Sequence, residues 1–259
     1  MTGEVRLERS FRASRKELWE ACATRSGLEG WYADRVSGTL APDGKVRLEW
    51  PELGARVDLD VEEHVPDRRI VFSHGTTRVI LAVSDGTVAL THAGLDSSDD
   101  VAGFESSWRV ALAVLGHALE VHPGKSRRTR WVVRGVSTSA TLAHLCFTEP
   151  EALATWLGRS ASVGDEGQPF IVRTANGENM SGDVLIRNGG RDVAFSWREQ
   201  SDSVLVFRTL PSPTAADGRI LAACWSKWGP TQAGERAVMT ELSRALDRLA
   251  LVLARSGDA

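Results

Sequence analysis

The chain has 259 residues, of which 42% are hydrophobic and 25% are charged, and its formal net charge is -3. These values are typical of a globular protein with room for two average domains, and they argue against a nucleic-acid-binding surface, which needs clustered cations. No stretch approaches the roughly 20 apolar residues of a membrane helix, and the three cysteines are too scattered for a disulfide framework or a zinc site, so we expect a reduced, cytoplasmic protein without a membrane span.

The first half of the chain predicts a strand, two short helices, several strands and one long helix. An alternating strand begins at Val5, and Ser14 with Glu17 forms the pattern of a capping box at a helix start. Residues 57–62 alternate apolar and polar side chains, as a strand with one buried face does, and residues 68–74 form the next strand. The half closes with its longest helical stripe: Phe104, Trp108, Leu112, Leu115 and Leu119.

The second half predicts the same elements in the same order. Residues 131–136 form a strand pattern, residues 148–151 a capping box, and residues 191–197 a strand similar to that at 68–74. Its final helical stripe consists of Val238, Leu242, Ala245, Leu246, Leu249 and Leu253. We therefore predict an α+β chain of two tandem domains, residues 1–122 and 131–259. A linker at 123–130 contains a proline, a glycine and a solvated run of charges. Each domain is expected to wrap a curved antiparallel sheet around its long C-terminal helix.

Several segments of the first half occur together in a known superfamily. They are residues 11–14 with Leu18 and Trp19, residues 28–31, 65–73 and 88–95, and Trp108. Together they resemble the SRPBCC superfamily of START-like, helix-grip proteins, in the branch related to the heat-shock-protein-90 ATPase activator. The second half resembles it more weakly, through Trp156 and residues 193–197, with Cys224 standing where the first half has His92. The resemblance implies two helix-grip domains, the second of them more divergent.

The histidines of the first sheet are the first candidates for chemistry. Strand parity predicts that His64 points to solvent with its acidic neighbours, whereas His74 and His92 point inward. Two inward histidines without a third ligand of matching parity do not favour a metal site. They are pocket-lining residues, or residues that transfer protons or bind a ligand by hydrogen bonds. The chain also has no Walker or dinucleotide fingerprint and no nucleophile with a base at a defined spacing, so we predict no cofactor and no catalytic set.

The nine tryptophans form the second candidate group. Those on helical stripes, such as Trp108, are explained by core packing, whereas Trp31, Trp50 and Trp197 suit the half-wet rim of a cavity. Trp197 occupies the position that His74 has in the first half, which indicates a site that accepts a large ring. The predicted ligand-binding residues are Trp31, Trp50, Phe72, His74, Leu90, His92, Trp108 and Trp197.

Three hypotheses for function follow. The resemblance implies a protein that holds a hydrophobic small molecule between sheet and helix, mainly in the first domain. An alternative is an interaction protein whose partner is a chaperone or another protein, similar to the heat-shock-protein-90 ATPase activator. A third is a cyclase- or hydrolase-type enzyme that uses His74 or His92. Fold alone does not choose among them.

Overall fold

The structure, a computed structural model, describes residues 3–175, 177–188, 190–212, 218–231 and 233–256. The chain divides into two compact units, Met1–Arg127 and Arg128–Ala259, here named the N-terminal and C-terminal units. Among the described residues, no helix combines the length and the apolar character that crossing a membrane requires.

The N-terminal unit is one antiparallel sheet of seven strands with two short helices and a long one. Its elements are β1 (Gly3–Ser10), α1 (Arg15–Ala23), α2 (Arg25–Glu29), β2 (Arg35–Gly38), β3 (Lys45–Trp50), β4 (Ala55–Val65), β5 (Arg69–His74), β6 (Thr77–Ser84), β7 (Thr87–Leu95) and α3 (Ser98–Val121). The strand order is β1-β7-β6-β5-β4-β3-β2, so β2 to β7 form a meander and β1 pairs with β7.

The C-terminal unit has the same order of elements and the same sheet topology. Its elements are β8 (Arg127–Ser137), α4 (Ala140–Thr148), α5 (Pro150–Trp156), β9 (Gly158–Val163), β10 (Pro169–Thr174), β11 (Asn179–Asn188), β12 (Asp192–Trp197), β13 (Ser203–Pro211), β14 (Gly218–Trp228) and α6 (Glu235–Ser256). The strand order is β8-β14-β13-β12-β11-β10-β9. The predicted α+β fold, with two sheets each followed by a long helix, is confirmed. β8 begins at Arg127, inside the stretch that the sequence analysis assigned to a linker.

A bulge in β4 changes which face the end of this strand presents. The pairing of β4 with β5 shifts between Val61 and Glu63, after which His64 lies opposite Ile70. Residues directly opposite each other in a sheet share a face, and Ile70 is fully buried. The imidazole of His64 accordingly packs on the indole of Trp19, with ring centroids 5.1 Å apart. The prediction that His64 points to solvent is wrong, because strict alternation does not continue through a bulge.

The start of α1 is fixed by the capping box that the sequence predicts. The backbone N–H of Glu17 donates to Ser14 Oγ at 3.3 Å, and the backbone N–H of Ser14 donates to the Glu17 carboxylate at 2.8 Å. These two bonds satisfy helix donors that would otherwise have no partner. They also hold the pKa of Glu17 below its usual value, because the carboxylate accepts bonds from the Ser14 hydroxyl and backbone. The capped helix buries Leu18 and Cys22 against the sheet.

We expect Ser14→Ala to destabilise the N-terminal unit by about 1 kcal/mol, the usual cost of losing an N-cap hydroxyl. Urea denaturation followed by tryptophan fluorescence measures this loss. Ser37→Ala, which removes an exposed hydroxyl from β2, is the matched control and should leave the free energy of unfolding unchanged. Equal stabilities of the two variants would contradict the capping role.

Candidate functional site

The N-terminal unit contains a cavity of about 220 Å³ between its sheet and α3. The cavity is walled mainly by aromatic and aliphatic side chains, with the polar groups of two histidines, one threonine and one tyrosine. Its lining residues are Leu28, Trp31, Tyr32, Leu48, Trp50, Val57, Leu59, Phe72, His74, Thr77, Val79, Leu81, His92, Phe104 and Trp108. An apolar hollow with a few polar groups is the usual form of a small-molecule site.

Stacked and edge-on aromatic rings form the wall near α2 and α3. Tyr32 stacks on Trp108 with a centroid distance of 4.6 Å and an interplanar angle of 13°. Trp50 meets the same tyrosine edge-on, with ring centroids 5.7 Å apart, and its indole N–H donates to Tyr32 O at 3.3 Å. The indole N–H of Trp31 donates to Ala21 O at 3.0 Å, which ties this residue to α1. The wall is therefore held by hydrogen bonds at its edges and presents ring surfaces to the cavity.

His92 is the buried polar residue of the cavity wall. It lies on β7 with 5% of its surface exposed, and its Nδ1 accepts a hydrogen bond from Trp108 Nε1 at 3.1 Å. Phe104 meets the imidazole edge-on, with ring centroids 4.5 Å apart. Burial lowers the pKa of His92 below its usual value, which favours the neutral ring. Because an indole nitrogen only donates, the hydrogen bond assigns the imidazole proton to Nε2.

His74 belongs to the same cavity, and its Nδ1 donates a hydrogen bond where the Nδ1 of His92 accepts one. This residue ends β5 and is exposed, and its Nδ1 lies 2.8 Å from the backbone oxygen of Asp58. A carbonyl oxygen only accepts, so His74 Nδ1 carries the proton in this bond. Thr77 Oγ1 donates to His74 O at 2.8 Å and closes the adjoining turn. The cavity is thus lined by one buried imidazole, that of His92, and one exposed imidazole, that of His74.

The structure places the predicted ligand-binding residues in three locations. Those that line the cavity are Trp31, Trp50, Phe72, His74, His92 and Trp108. Leu90 is buried on β7, 1% exposed, but does not line the cavity. Trp197 lies in the C-terminal unit. The strand parity of β4 already pointed Val57 and Leu59 inward, whereas no pattern marked Tyr32.

Within the described part of the chain, no group of three His, Cys, Asp or Glu residues is placed to hold a metal ion. Burial raises the pKa of the Cys22 thiol to about 12 and also raises that of Cys146. Both thiols are therefore protonated near neutral pH and are poor nucleophiles.

Sheet register identifies which residues of the C-terminal unit correspond to the cavity wall. In the N-terminal sheet, Val61, Phe72, Val79 and His92 lie opposite one another across four strands. The corresponding row of the C-terminal sheet is Val184, Phe195, Leu205 and Trp225. The counterpart of His92 is therefore Trp225 and not Cys224, the residue that the sequence comparison placed there.

Trp225 occupies the interior of its unit. Its side chain is 1% exposed, and its Nε1 donates to Ser203 Oγ at 2.8 Å. Trp197, the counterpart of His74, lies beside it with ring centroids 6.1 Å apart. A further chain of ring contacts joins Phe147, Trp156, Phe170, Phe195 and Phe207. Large rings thus occupy the region where the N-terminal unit has its cavity wall.

Arg127 holds the loop that carries Trp31 and Tyr32. Its guanidinium donates to three backbone oxygens, those of Glu29 at 3.0 Å, Trp31 at 2.7 Å and Ala33 at 2.9 Å. The carboxylate of Asp34 lies 3.8 Å away, and the Arg127 side chain is only 5% exposed. The sequence pattern predicts that this arginine lies in a solvated run of charges. That interpretation is wrong for Arg127, because sequence cannot show a buried set of backbone acceptors.

Comparisons with known proteins give likenesses of structure only. No family model and no curated protein sequence matches the chain. The Aha1 dimer from Colwellia psychrerythraea is 20% identical, covers 47% of this chain and 99% of its own, and has a TM-score of 0.43. DynU16, from the dynemicin biosynthetic locus, is 17% identical, covers 96% of this chain and 98% of its own, and has a TM-score of 0.42. CalU16 from Micromonospora echinospora is 20% identical, covers 46% of this chain and 77% of its own, and has a TM-score of 0.40. None of these scores is high enough to support a functional argument.

We expect Arg127→Met to loosen the loop around Trp31, because three buried carbonyl groups lose their donor. The cost is about 2–4 kcal/mol, in the range for breaking charged hydrogen bonds inside a protein. Hydrogen exchange of the backbone amides of residues 30–34 should become faster. Arg25→Ala, which truncates an exposed arginine on α2, is the control. Exchange that stays equally slow in the Arg127 variant would contradict the role of this residue.

Stability should fall as the pH drops below about 6.5, the ordinary pKa of histidine. Burial lowers the pKa of His92 in the folded state, so the unfolded chain binds the proton first and the folded state loses its advantage. Urea denaturation at pH 7.5 and pH 5.5 should show a smaller loss for His92→Asn than for the wild type. His144→Asn should flatten the profile further, since burial also lowers the pKa of His144. Identical pH profiles of wild type and His92→Asn would contradict this assignment.

Proposed function

We propose that the protein binds a small, largely apolar molecule in the cavity of its N-terminal unit. The observation that carries this proposal is a hollow of about 220 Å³ whose wall is built from aromatic and aliphatic side chains. Burial of apolar surface contributes about 25 cal/mol per Å². A ligand that covers this wall therefore gains affinity without any charged contact.

The size of the cavity limits the ligand. Sites for drug-sized molecules have volumes of about 300–1,000 Å³. A cavity of about 220 Å³ suits a smaller molecule, such as one with two fused rings. The flat surfaces of Tyr32 and Trp108 favour a planar ring system, because offset and edge-on ring contacts add to the gain from burial.

The difference between the two units supports a binding role over a purely structural one. The C-terminal unit has the same topology, yet Trp225 and neighbouring rings occupy its interior. At the position of His92 the fold therefore accepts a larger apolar ring, and the imidazole is not a structural requirement. An interaction protein of the chaperone-associated kind would instead depend on an apolar outer surface. The apolar surface of the N-terminal cavity faces inward, between the sheet and α3.

The test is a substitution that fills the cavity. Val57 lines it from β4, and Val65 ends the same strand outside it and is 37% exposed. We expect Val57→Phe to weaken the binding of ethylnaphthalene at least tenfold, because the added ring takes the ligand's place. Isothermal titration calorimetry measures the affinity, and native mass spectrometry reports any ligand retained from expression.

Val65→Phe is the matched control, since it introduces the same ring on the same strand. It should bind ethylnaphthalene like the wild type. If the wild type binds no neutral naphthalene and retains no ligand, the proposed function is wrong. If the two variants lose affinity equally, the ligand binds elsewhere than in the cavity.

A further inference from the structure

The hydrogen bonding of His92 specifies the ligand more closely than the apolar character of the cavity does. This imidazole is a buried polar group in an apolar wall. One of its nitrogens, Nδ1, is occupied by the indole N–H of Trp108 at 3.1 Å. Among the described residues, this is the one hydrogen bond that the ring makes. The remaining nitrogen, Nε2, has no protein partner among them.

The Trp108 bond determines what Nε2 offers. An indole nitrogen has a hydrogen and no lone pair to accept with, so the facing imidazole nitrogen must be unprotonated. A protonated imidazole would direct a second N–H at the indole N–H. The ring is therefore neutral with its proton on Nε2, and the cavity wall contains a donor whose orientation is set by Trp108. Burial of the ring acts in the same direction, because it disfavours the charged form.

We propose that the ligand carries a neutral oxygen acceptor, such as a ketone carbonyl or an aryl ether, that accepts a hydrogen bond from His92 Nε2. This inference rests on the proposed function, because it names the chemical class of the molecule in the same cavity. Trp108 is a positioning residue in it, since its N–H selects the imidazole tautomer. The rest of the ligand is a planar ring system that contacts the aromatic wall.

The same geometry excludes two other classes of ligand. An ammonium group would direct its own N–H donors at the Nε2 donor, which leaves both unsatisfied. A carboxylate could accept the bond, but burying an unpaired charge in an apolar wall is costly. A pure hydrocarbon fits the cavity but leaves the donor without a partner, at a cost of about 1–3 kcal/mol relative to a ligand that accepts it.

The C-terminal unit offers an internal contrast at the same position of the sheet. Its Trp225 also carries a buried N–H, but that donor bonds Ser203 Oγ at 2.8 Å within the protein. Leu242 stands on α6 where Trp108 stands on α3, because the two apolar stripes have the same spacing. The C-terminal unit thus lacks both members of the pair. Among the described residues, the hydrogen-bonded pair of His92 and Trp108 therefore has no equivalent at the matching positions of the C-terminal unit.

The test compares two probes that share one skeleton, acetylnaphthalene and ethylnaphthalene, in calorimetric titrations of the full-length chain. The ketone supplies an acceptor and the hydrocarbon does not, while their ring surfaces are the same. We expect the wild type to bind the ketone about tenfold more tightly. A tenfold ratio corresponds to about 1.4 kcal/mol, which is within the range for one buried hydrogen bond.

Two substitutions of His92 separate its two nitrogens. Asn carries its amide near the position of Nδ1, so His92→Asn retains a partner for Trp108 and loses the donor at Nε2. Gln reaches the position of Nε2, so His92→Gln retains a donor and loses the acceptor for Trp108. We expect the preference for the ketone to disappear in His92→Asn and to persist in part in His92→Gln. Trp108→Phe keeps a ring and removes the N–H, and it should reduce the preference without abolishing hydrocarbon binding.

Ethylnaphthalene also reports whether each variant is folded, because it makes no hydrogen bond that the substitutions remove. A wild type that binds both probes with equal affinity would overturn this inference and leave the proposed function standing. A His92→Asn variant that still prefers the ketone would overturn it as well. A wild type that binds neither probe and retains no ligand from expression would overturn the proposed function, and the inference with it.

Discussion

The packing of α3 against the sheet of the N-terminal unit is the constraint on which the rest of this unit depends. The helix buries Leu112 and Leu115 almost completely, and those contacts bring it onto the sheet. Nearer its start, the helix places Trp108 against Tyr32 and His92. Rings that stack and bond in fixed directions do not collapse into the remaining space as flexible aliphatic chains do. The cavity lies where this rigid group holds the sheet and the helix apart.

The two units share one topology but carry side chains of different size at matching positions of the sheet. Register alone relates His92 to Trp225 and Leu81 to Phe207, and in both pairs the C-terminal residue is larger. Close packing of protein interiors means that a few added rings fill a space of this size. Both units keep the same strand order and a long final helix, although the N-cap Glu149 of α5 makes no side-chain bond of the kind that Thr24 makes at the start of α2. The two units therefore differ in a few side chains on two rows of the sheet, and not in their topology.

Most of the fold could be predicted from the sequence, because it depends on local periodicity. The alternation in β4, the capping box at Ser14 and the stripe of α3 each need only neighbouring residues. The predictions were wrong where contacts between distant segments determine the position of a side chain. The bulge after Val61 depends on pairing with β5 and reversed the expected direction of His64. The role of Arg127 depends on carbonyl groups nearly a hundred positions away. Strand parity indicated His74 and His92 as inward residues, but only the three-dimensional contact with Trp108 assigns the proton of His92.

A buried histidine in an apolar wall has a cost that the protein could avoid, as the tryptophan at the same position of the C-terminal unit shows. The N-terminal unit instead keeps the imidazole neutral and binds one of its nitrogens to Trp108. This arrangement leaves the other nitrogen as a donor in a largely apolar wall. Arg127 and the hydrogen bond of Trp31 to α1 add rigidity to the facing wall, so the donor and the ring surfaces keep their relative positions. A preorganised wall loses little conformational freedom when a molecule enters, and a site this small depends on that saving for useful affinity.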